Sequence, residues 1–295
     1  MACEKPLRAY APATGGRIRF FKRTDKEYWE EPYTGLTIPC GYCILCRAEQ
    51  ARQQAVRIAH EAQLHDENAF ITLTYADEHI PPYGGLRYAD LQKFWKRLRK
   101  HLSKTNRNIR YYAVGEYGDD KHRPHYHAVV FGLSFTQDAI TIRETPTRLW
   151  TSPMLERCWG LGQVSVGNVT FDSANYCASY VTKKLAQKQK YVRIDQQTGE
   201  LIALQQPRAF MSKNLAKEWW KQWGAYAAAH DFIVIDGKKM KPPKAYDKWL
   251  GAQDPERLAQ IKEQRVKQAK YLTPEESRAR ARNAHARARS KKKKL

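Results

Sequence analysis

Hydrophobic and polar positions change period repeatedly along this chain, and the changes mark its elements. Between Arg47 and His65 apolar residues recur at Ala51, Ala55, Ile58 and Ala62, the spacing of one helix face. The run NAFITLTY, Asn68–Tyr75, is rich in β-branched and aromatic residues and predicts a strand. ADEHIPPYGGL, with its proline and glycine pairs, predicts a loop. From Asp90 the segment DLQKFWKRLRKHL predicts a helix whose buried stripe is Leu91, Phe94, Trp95 and Leu98. Ile109–Tyr117 and His125–Leu133 read as two strands joined through the polar turn GDDKHRP, an antiparallel hairpin with a longish loop. RLWTSPMLERCWG contains a helix, and Gly162–Thr170 alternates as a strand. DSANYCASYVTKKLAQK then predicts a helix capped by Asp172 or Ser173.

The order β-α-β-β-α-β-α thus runs from Asn68 to about Lys190. A β-α-β-β-α-β run predicts an α+β fold of the split, ferredoxin-like kind, an antiparallel sheet with helices on one face. The expected organisation has four parts. Residues 1–66 form a cysteine-containing segment with a helix, and 67–190 form the sheet domain. Residues 191–256 form an accessory region, with a helix near KNLAKEWWKQWGAYAAA and a hairpin at FIVIDGKKMK. Residues 257–295 are a basic tail.

Composition sharpens this picture. Apolar residues at 42% and aromatics at 12% argue for a folded chain, and 295 residues suffice for a real core. The net charge of +22 points to a polyanionic partner, nucleic acid before an anionic membrane. From Arg257 to Leu295 there are 14 Lys or Arg against 3 Glu, a net of +11, so half of the charge sits in the tail. Its end, RARARNAHARARSKKKKL, is of low complexity and is expected to be disordered when free. No apolar stretch reaches the 18 residues of a membrane span, and MACEKPLRAYAP lacks the core of a signal peptide. A soluble, intracellular protein is expected. No GxxxxGK[ST] motif occurs, so nothing suggests an ATP-driven motor.

Candidate chemistry begins at RPHYHAVVFG, Arg123–Gly132. Residues two apart on a strand share a face, so His125 and His127 point together while Tyr126 points away. Two such imidazoles can close on one divalent metal given a third ligand. Glu116, nine residues before His125 on the other arm of the hairpin, is that ligand if the register agrees, with Asp119 and Asp120 as alternatives in the turn. Two histidines and a carboxylate form a mixed N/O set suited to Mn²⁺ or Mg²⁺. In NYCASYVTKK, Tyr176 and Tyr180 lie four apart on one helix face, with Lys183 three residues after Tyr180 and Lys184 beside it. A phenol ionises near pH 10, and a nearby ammonium favours the phenolate that a nucleophile requires. Core packing of the tyrosine rings and a solvated histidine pair are the bland alternatives.

Taken in order, FITLTY, RPHYHAVVFG and NYCASYVTKK resemble the HUH endonucleases, and within them the replication initiators of microviruses, particularly the gokushovirus branch. PCGYCILCR also looks like that branch, and the resemblance covers about residues 1–190. It implies a nicking-joining enzyme for rolling-circle replication. His125, His127 and Glu116 would hold the metal, and a tyrosine would form a 5′-phosphotyrosine link, leaving a 3′-hydroxyl for a host polymerase. Single-stranded and replicative-form DNA, a host helicase and that polymerase are the implied partners, in the bacterial cytoplasm. Two-tyrosine members often carry a lysine three residues after each tyrosine; here Tyr180 has Lys183 but Tyr176 has Ser179, which favours Tyr180 as the initiating nucleophile. Relaxases usually carry their tyrosines upstream of the histidines, and single-tyrosine transposases are shorter. A non-enzymatic DNA-binding or packaging protein with structural histidines is the other class.

Two further features stand apart. Cys40, Cys43 and Cys46 can supply three thiolates to a structural Zn²⁺, with Cys3 or a histidine as the fourth ligand, or can equally be a buried stripe. Lys93, Lys96, Arg97 and Lys100 on the basic helix, with Lys184, are candidate phosphate contacts, against a merely solvated charged face.

Overall fold

The computed structural model of the chain describes residues 3–12, 16–20, 33–118, 121–185, 191–269 and 272–292. Two compact units emerge, Met1–Glu49 with Gln264–Leu295, and Gln50–Glu263. The elements begin with β1 (Leu7–Pro12) and β2 (Tyr33–Ile38), which pair antiparallel, and α1 (Ile44–Ala62). Then follow β3 (Asn68–Thr74), α2 (Tyr88–Leu102), β4 (Arg110–Tyr117) and β5 (Pro124–Phe131). Next come β6 (Ile140–Arg143), β7 (Leu149–Thr151), α3 (Pro153–Trp159), β8 (Val164–Gly167) and α4 (Phe171–Leu185). The remainder comprises β9 (Val192–Ile194), β10 (Leu201–Ala203), β11 (Arg208–Met211), α5 (Lys217–His230), β12 (Ile233–Ile235) and β13 (Lys238–Met240). Three helices close the chain: α6 (Lys244–Gln253), α7 (Pro255–Lys267) and α8 (Pro274–Lys292). Among the described residues, no helix is long and apolar enough to cross a membrane.

The larger unit is organised by one sheet of order β11-β4-β5-β3-β8-β7-β6, antiparallel at every pairing. Because β3 and β4 both run against β5, they are parallel to each other, and the crossover between them passes through α2. Alternation along the central strands divides the core in two. Ile71, Leu73, Tyr126, Ala128 and Val130 pack with Leu91, Phe94, Trp95 and Leu98 of α2 and with Leu155 and Trp159 of α3. Tyr112, Val114, Val129 and Phe131 pack the other way, against Ala51, Ala55 and Ile58 of α1 and Ala174, Cys177 and Ala178 of α4.

Helices therefore cover both faces of the sheet, not one. The two helices inside the β-α-β-β-α-β run, α2 and α3, do share a face; α1 and α4, outside that run, cover the second. The 191–256 region is not separate from the sheet either, since its β11 pairs with β4, Ala209 opposite Val114. The basic tail, expected to lack structure, carries helix α8 through Lys292. Its Ala, Arg and Lys are among the strongest helix formers, so local propensity accounts for what low complexity obscured. The cap of α4 is Thr170 and not Asp172 or Ser173: Thr170 Oγ1 accepts from the Ser173 N–H at 3.1 Å, and Ser173 Oγ accepts from the Thr170 N–H at 2.8 Å. The β12–β13 hairpin turns on Asp236 and Gly237, whose φ of 48° and 72° suit the two-residue turn that Asp-Gly favours.

A third core joins α1, α5, α6 and α7 through Val56, Trp219, Trp220, Tyr246, Leu250 and Ile261. Inside it His60 is fully buried, stacked on Trp219 with centroids 3.5 Å apart, its Nδ1 2.6 Å from the Tyr246 hydroxyl. Burial lowers this imidazole from 6.5 to about 3. Between those values the unfolded chain binds a proton that the folded chain refuses, so stability rises with pH across the window. It is fully present above 6.5 and lost progressively towards 3. Urea unfolding at pH 5 and pH 7 is expected to show a loss of about 2 kcal/mol at the lower pH from this one group. In His60→Gln that difference shrinks by the same amount; an unchanged pH dependence excludes His60 as its source.

Candidate functional site

The site is built by register. On β4 and β5, Glu116 stands opposite His125 and Val114 opposite His127; across β3, Thr74 faces His125 and Thr72 faces His127. Opposed residues of an antiparallel pair share a face, so Glu116, His125, His127, Thr72 and Thr74 meet on the side covered by α1 and α4. Gly115 keeps the reverse side open: a Cβ there would lie 2.7 Å from Tyr88 Cε1 and 3.1 Å from Tyr126 Cε1. The Tyr126 ring between the two histidines is thereby seated, and its hydroxyl accepts from the Arg87 N–H at 3.0 Å and lies 3.1 Å from the Tyr75 hydroxyl. Arg123 closes the end of the hairpin, bonding Asp77 Oδ1 and the Tyr75 carbonyl.

Three ligand atoms converge. Nε2 of His125 lies 2.6 Å and Nε2 of His127 3.0 Å from one oxygen, Glu116 Oε1. The opposite ring nitrogens are engaged behind them, His125 Nδ1 at 3.1 Å from the Arg123 carbonyl and His127 Nδ1 at 2.9 Å from Thr72 Oγ1. Such outer partners fix ring orientation, as they do in metal sites. The rings stand at 87° to each other with centroids 4.9 Å apart. Glu116 is only 1% exposed, and its Oε2 is buried without a hydrogen-bond partner among the described residues.

Burial raises the Glu116 carboxyl, yet its bonds to His125 and His127 outweigh burial and hold it below the ordinary range. Burial pushes the His127 imidazole down, against the pull of Glu116. At neutral pH the group thus presents a carboxylate and a neutral imidazole, the forms that ligate metals. A buried carboxylate with one oxygen shared by two imidazoles and the other unsatisfied is a donor set lacking only a cation. Mg²⁺ or Mn²⁺ fits that mixture of nitrogen and oxygen.

Helix α4 lies over the triad. The Tyr176 ring meets the His127 ring edge-on at 5.4 Å and the Phe70 ring at 6.2 Å, while Phe70 stacks on His127 at 5.5 Å. Of the two tyrosines, Tyr176 is the one whose ring is described there; the side chains of Tyr180, Lys183 and Lys184 lie outside the described residues, as do Asp119 and Asp120. Phe70, Thr72 and Arg123 were not singled out from sequence. Thr72 was findable, because the alternation of FITLTY puts it on the face away from Ile71 and Leu73.

The candidate phosphate contacts of α2 fall elsewhere. Lys93, Lys96 and Lys100 are exposed, but their helix packs on the sheet face opposite to the triad. Arg97 donates at 2.6 Å to the carbonyls of Cys158 and Trp159, and so closes the last turn of α3. The four sulfurs of Cys3, Cys40, Cys43 and Cys46 come together in the smaller unit.

Comparison with known proteins agrees with the motifs. The family of replication-associated proteins of the ORF2 type matches over residues 68–185, which hold the triad and α4. Replication-associated protein VP4 of Bdellovibrio phage phiMH2K is 33% identical over 269 residues, covering 87% of this chain and 79% of the relative. Replication-associated protein ORF2 of Spiroplasma virus 4 is 31% identical over 289 residues, covering 92% and 87%. Replication-associated protein ORF4 of Chlamydia phage 1 is 32% identical over 153 residues, half of this chain and 38% of its own length. No solved structure matches the chain.

Proposed function

The chain belongs to the family of replication-associated proteins, and on that premise we propose that it initiates rolling-circle replication by nicking and rejoining single-stranded DNA through a 5′-phosphotyrosine link. The observation that carries this reading is the convergence of His125, His127 and Glu116 beneath a tyrosine-bearing helix. The strand order β8-β3-β5-β4 with α2 and α3 on one face supports the HUH arrangement of a split β-α-β sandwich.

His125, His127 and Glu116 would hold Mg²⁺ or Mn²⁺, which when bound acts as a Lewis acid on the scissile phosphate. The chain's own groups do the rest. Thr72 and the Arg123 carbonyl keep the imidazoles aimed. The Tyr180 oxygen attacks phosphorus, the bond to the 3′-oxygen breaks, and the 5′-phosphate stays on the tyrosine while a free 3′-hydroxyl is released. Lys183 favours the phenolate. Tyr176 then serves as the second nucleophile when the origin is regenerated. The phosphotyrosine conserves the bond energy, so the released strand closes into a circle without ATP. A host helicase and polymerase extend the 3′ end in the bacterial cytoplasm.

The direct test is incubation of the full chain with circular single-stranded DNA and Mn²⁺, followed by a denaturing gel. A covalent protein–DNA band is expected. Its absence across origin-bearing circles favours a non-enzymatic DNA-binding role with structural histidines.

The reading also assigns affinity to the tail. Arg278, Arg280, Arg282 and Arg287 of α8 are exposed. Replacing all four by glutamine preserves helix propensity and should flatten the dependence of log affinity on log salt by about 0.7 per lost phosphate contact, at most about 3. Nicking of a short oligonucleotide at low salt should persist. An unchanged slope means that α8 serves a partner other than DNA.

A further inference from the structure

The smaller unit has almost no hydrophobic core. Among its described residues, the buried apolar positions are Cys3, Ala9, Cys46 and Ala281, and two of these four are cysteines. A unit that buries so little cannot hold its fold by the hydrophobic effect alone, and small units in that position use a disulfide or a metal. All six cysteines of the chain are free thiols.

We propose that Cys3, Cys40, Cys43 and Cys46 form a structural zinc site, with Cys3 and not a histidine as the fourth ligand. Their four sulfurs lie within 4.8 Å of one another. A tetrahedral ZnS₄ centre with Zn–S near 2.3 Å requires sulfurs about 3.8 Å apart. The Cys43 and Cys3 sulfurs are 3.9 Å apart, far beyond the roughly 2.05 Å of a disulfide and close to the tetrahedral edge. A mere apolar stripe has no reason to gather four sulfurs from both ends of a 37-residue span into one point.

The surroundings suit thiolates. The Cys40 N–H points at Cys3 Sγ at 3.4 Å, the Cys43 N–H at Cys40 Sγ at 3.4 Å, and the Cys46 N–H at Cys43 Sγ at 3.5 Å. Backbone donors of this kind offset the negative charge of bound sulfur. Cys43 and Cys46 also bracket the start of α1, a 19-residue helix whose N-terminus favours anions. With Cys3 and Cys46 buried and the other two half-buried, four protein ligands leave no position open, the mark of a structural site.

The same corner seats the tail. Ser277 Oγ donates to the Cys3 carbonyl at 2.9 Å, and His285 Nε2 lies 3.3 Å from Glu4 Oε1. A metal on Cys3 would thus fix the residues on which α8 docks, within the smaller unit.

The test uses the full chain carrying His125→Ala and His127→Ala, so that metal at the triad is not counted. Purified without chelator, it should contain one zinc per chain by elemental analysis. Adding Cys40→Ser and Cys43→Ser should abolish that zinc and speed proteolysis within residues 1–49, whereas adding Cys158→Ser should leave both unchanged. Should the cysteine variants fail to fold, the parent chain decides alone: stripped of metal and titrated with Co²⁺ in reductant, it should show the visible and near-ultraviolet bands of tetrahedral cobalt–thiolate. Absence of stoichiometric zinc together with absence of those bands overturns the proposal, as does finding iron in place of zinc.

Discussion

Replacing His125 and His127 together by alanine is expected to slow DNA nicking at least about a thousandfold, because Lewis-acid assistance worth several kcal/mol is lost at roughly 1.4 kcal/mol per tenfold. Binding to origin DNA should be largely retained, since affinity for nucleic acid comes mainly from Lys and Arg on phosphates. The two readouts therefore separate. The two Nε2 atoms lie within 3.0 Å of one carboxylate oxygen, so neither imidazole can be removed without opening the ligand set. Glu116→Gln should act similarly: it keeps the shape of the side chain but removes the charge that holds the set together, and raised Mn²⁺ should restore part of the rate. Chelation of the wild type should reproduce the double variant. A double variant that nicks at the wild-type rate would remove the triad from the chemistry altogether and leave it a structural cluster.

That outcome has a built-in control in the protein. Glu116 is buried, and its only described neighbours of compensating character are the two histidines. Losing both leaves a carboxylate without partners, so the variant is expected to lose stability as well. Unfolding midpoints measured alongside activity distinguish a folded, inactive protein from one that has lost its site by melting.

Much of this site was legible because it lies on strands. A period of two fixes which side chains share a face, and one histidine pair sets the face for β5 without knowledge of the rest. Glu116 needed one more step, the hairpin register, and the structure supplies it as Glu116 opposite His125. What was not legible depends on partners distant in sequence. β11 joins β4 from about a hundred residues away, over four residues too short to announce themselves by alternation. β6 is exposed throughout, so no burial pattern marked it. The layer of α2 follows from the crossover between β3 and β4, and it removes Lys93, Lys96 and Lys100 from the triad's side of the sheet. Cys3 could be offered only as one of several fourth ligands, because no local rule links it to Cys40.

The tyrosine pair offers the second large effect. Tyr180→Phe is expected to eliminate the first covalent adduct, because phenylalanine keeps the ring and removes only the nucleophilic oxygen. Tyr176→Phe should still nick and form one adduct but fail to release circular product. Termination needs a second nucleophile while the first is esterified, and a residue four positions away on the same helix face meets that need. The edge-on contacts of Tyr176 with His127 and Phe70 are made by its ring, so Tyr176→Phe leaves the packing of the triad undisturbed and isolates the hydroxyl. The order of the two rests on Lys183 following Tyr180 where Ser179 follows Tyr176, the Ser179 hydroxyl being spent on the Tyr176 carbonyl at 2.9 Å. An ammonium can stabilise a phenolate; a serine bonded to the backbone cannot. Mass spectrometry of the DNA-linked peptide reads the result. Adduct confined to Tyr176 reverses the order, and equal labelling means that the two alternate and that the lysine does not choose between them.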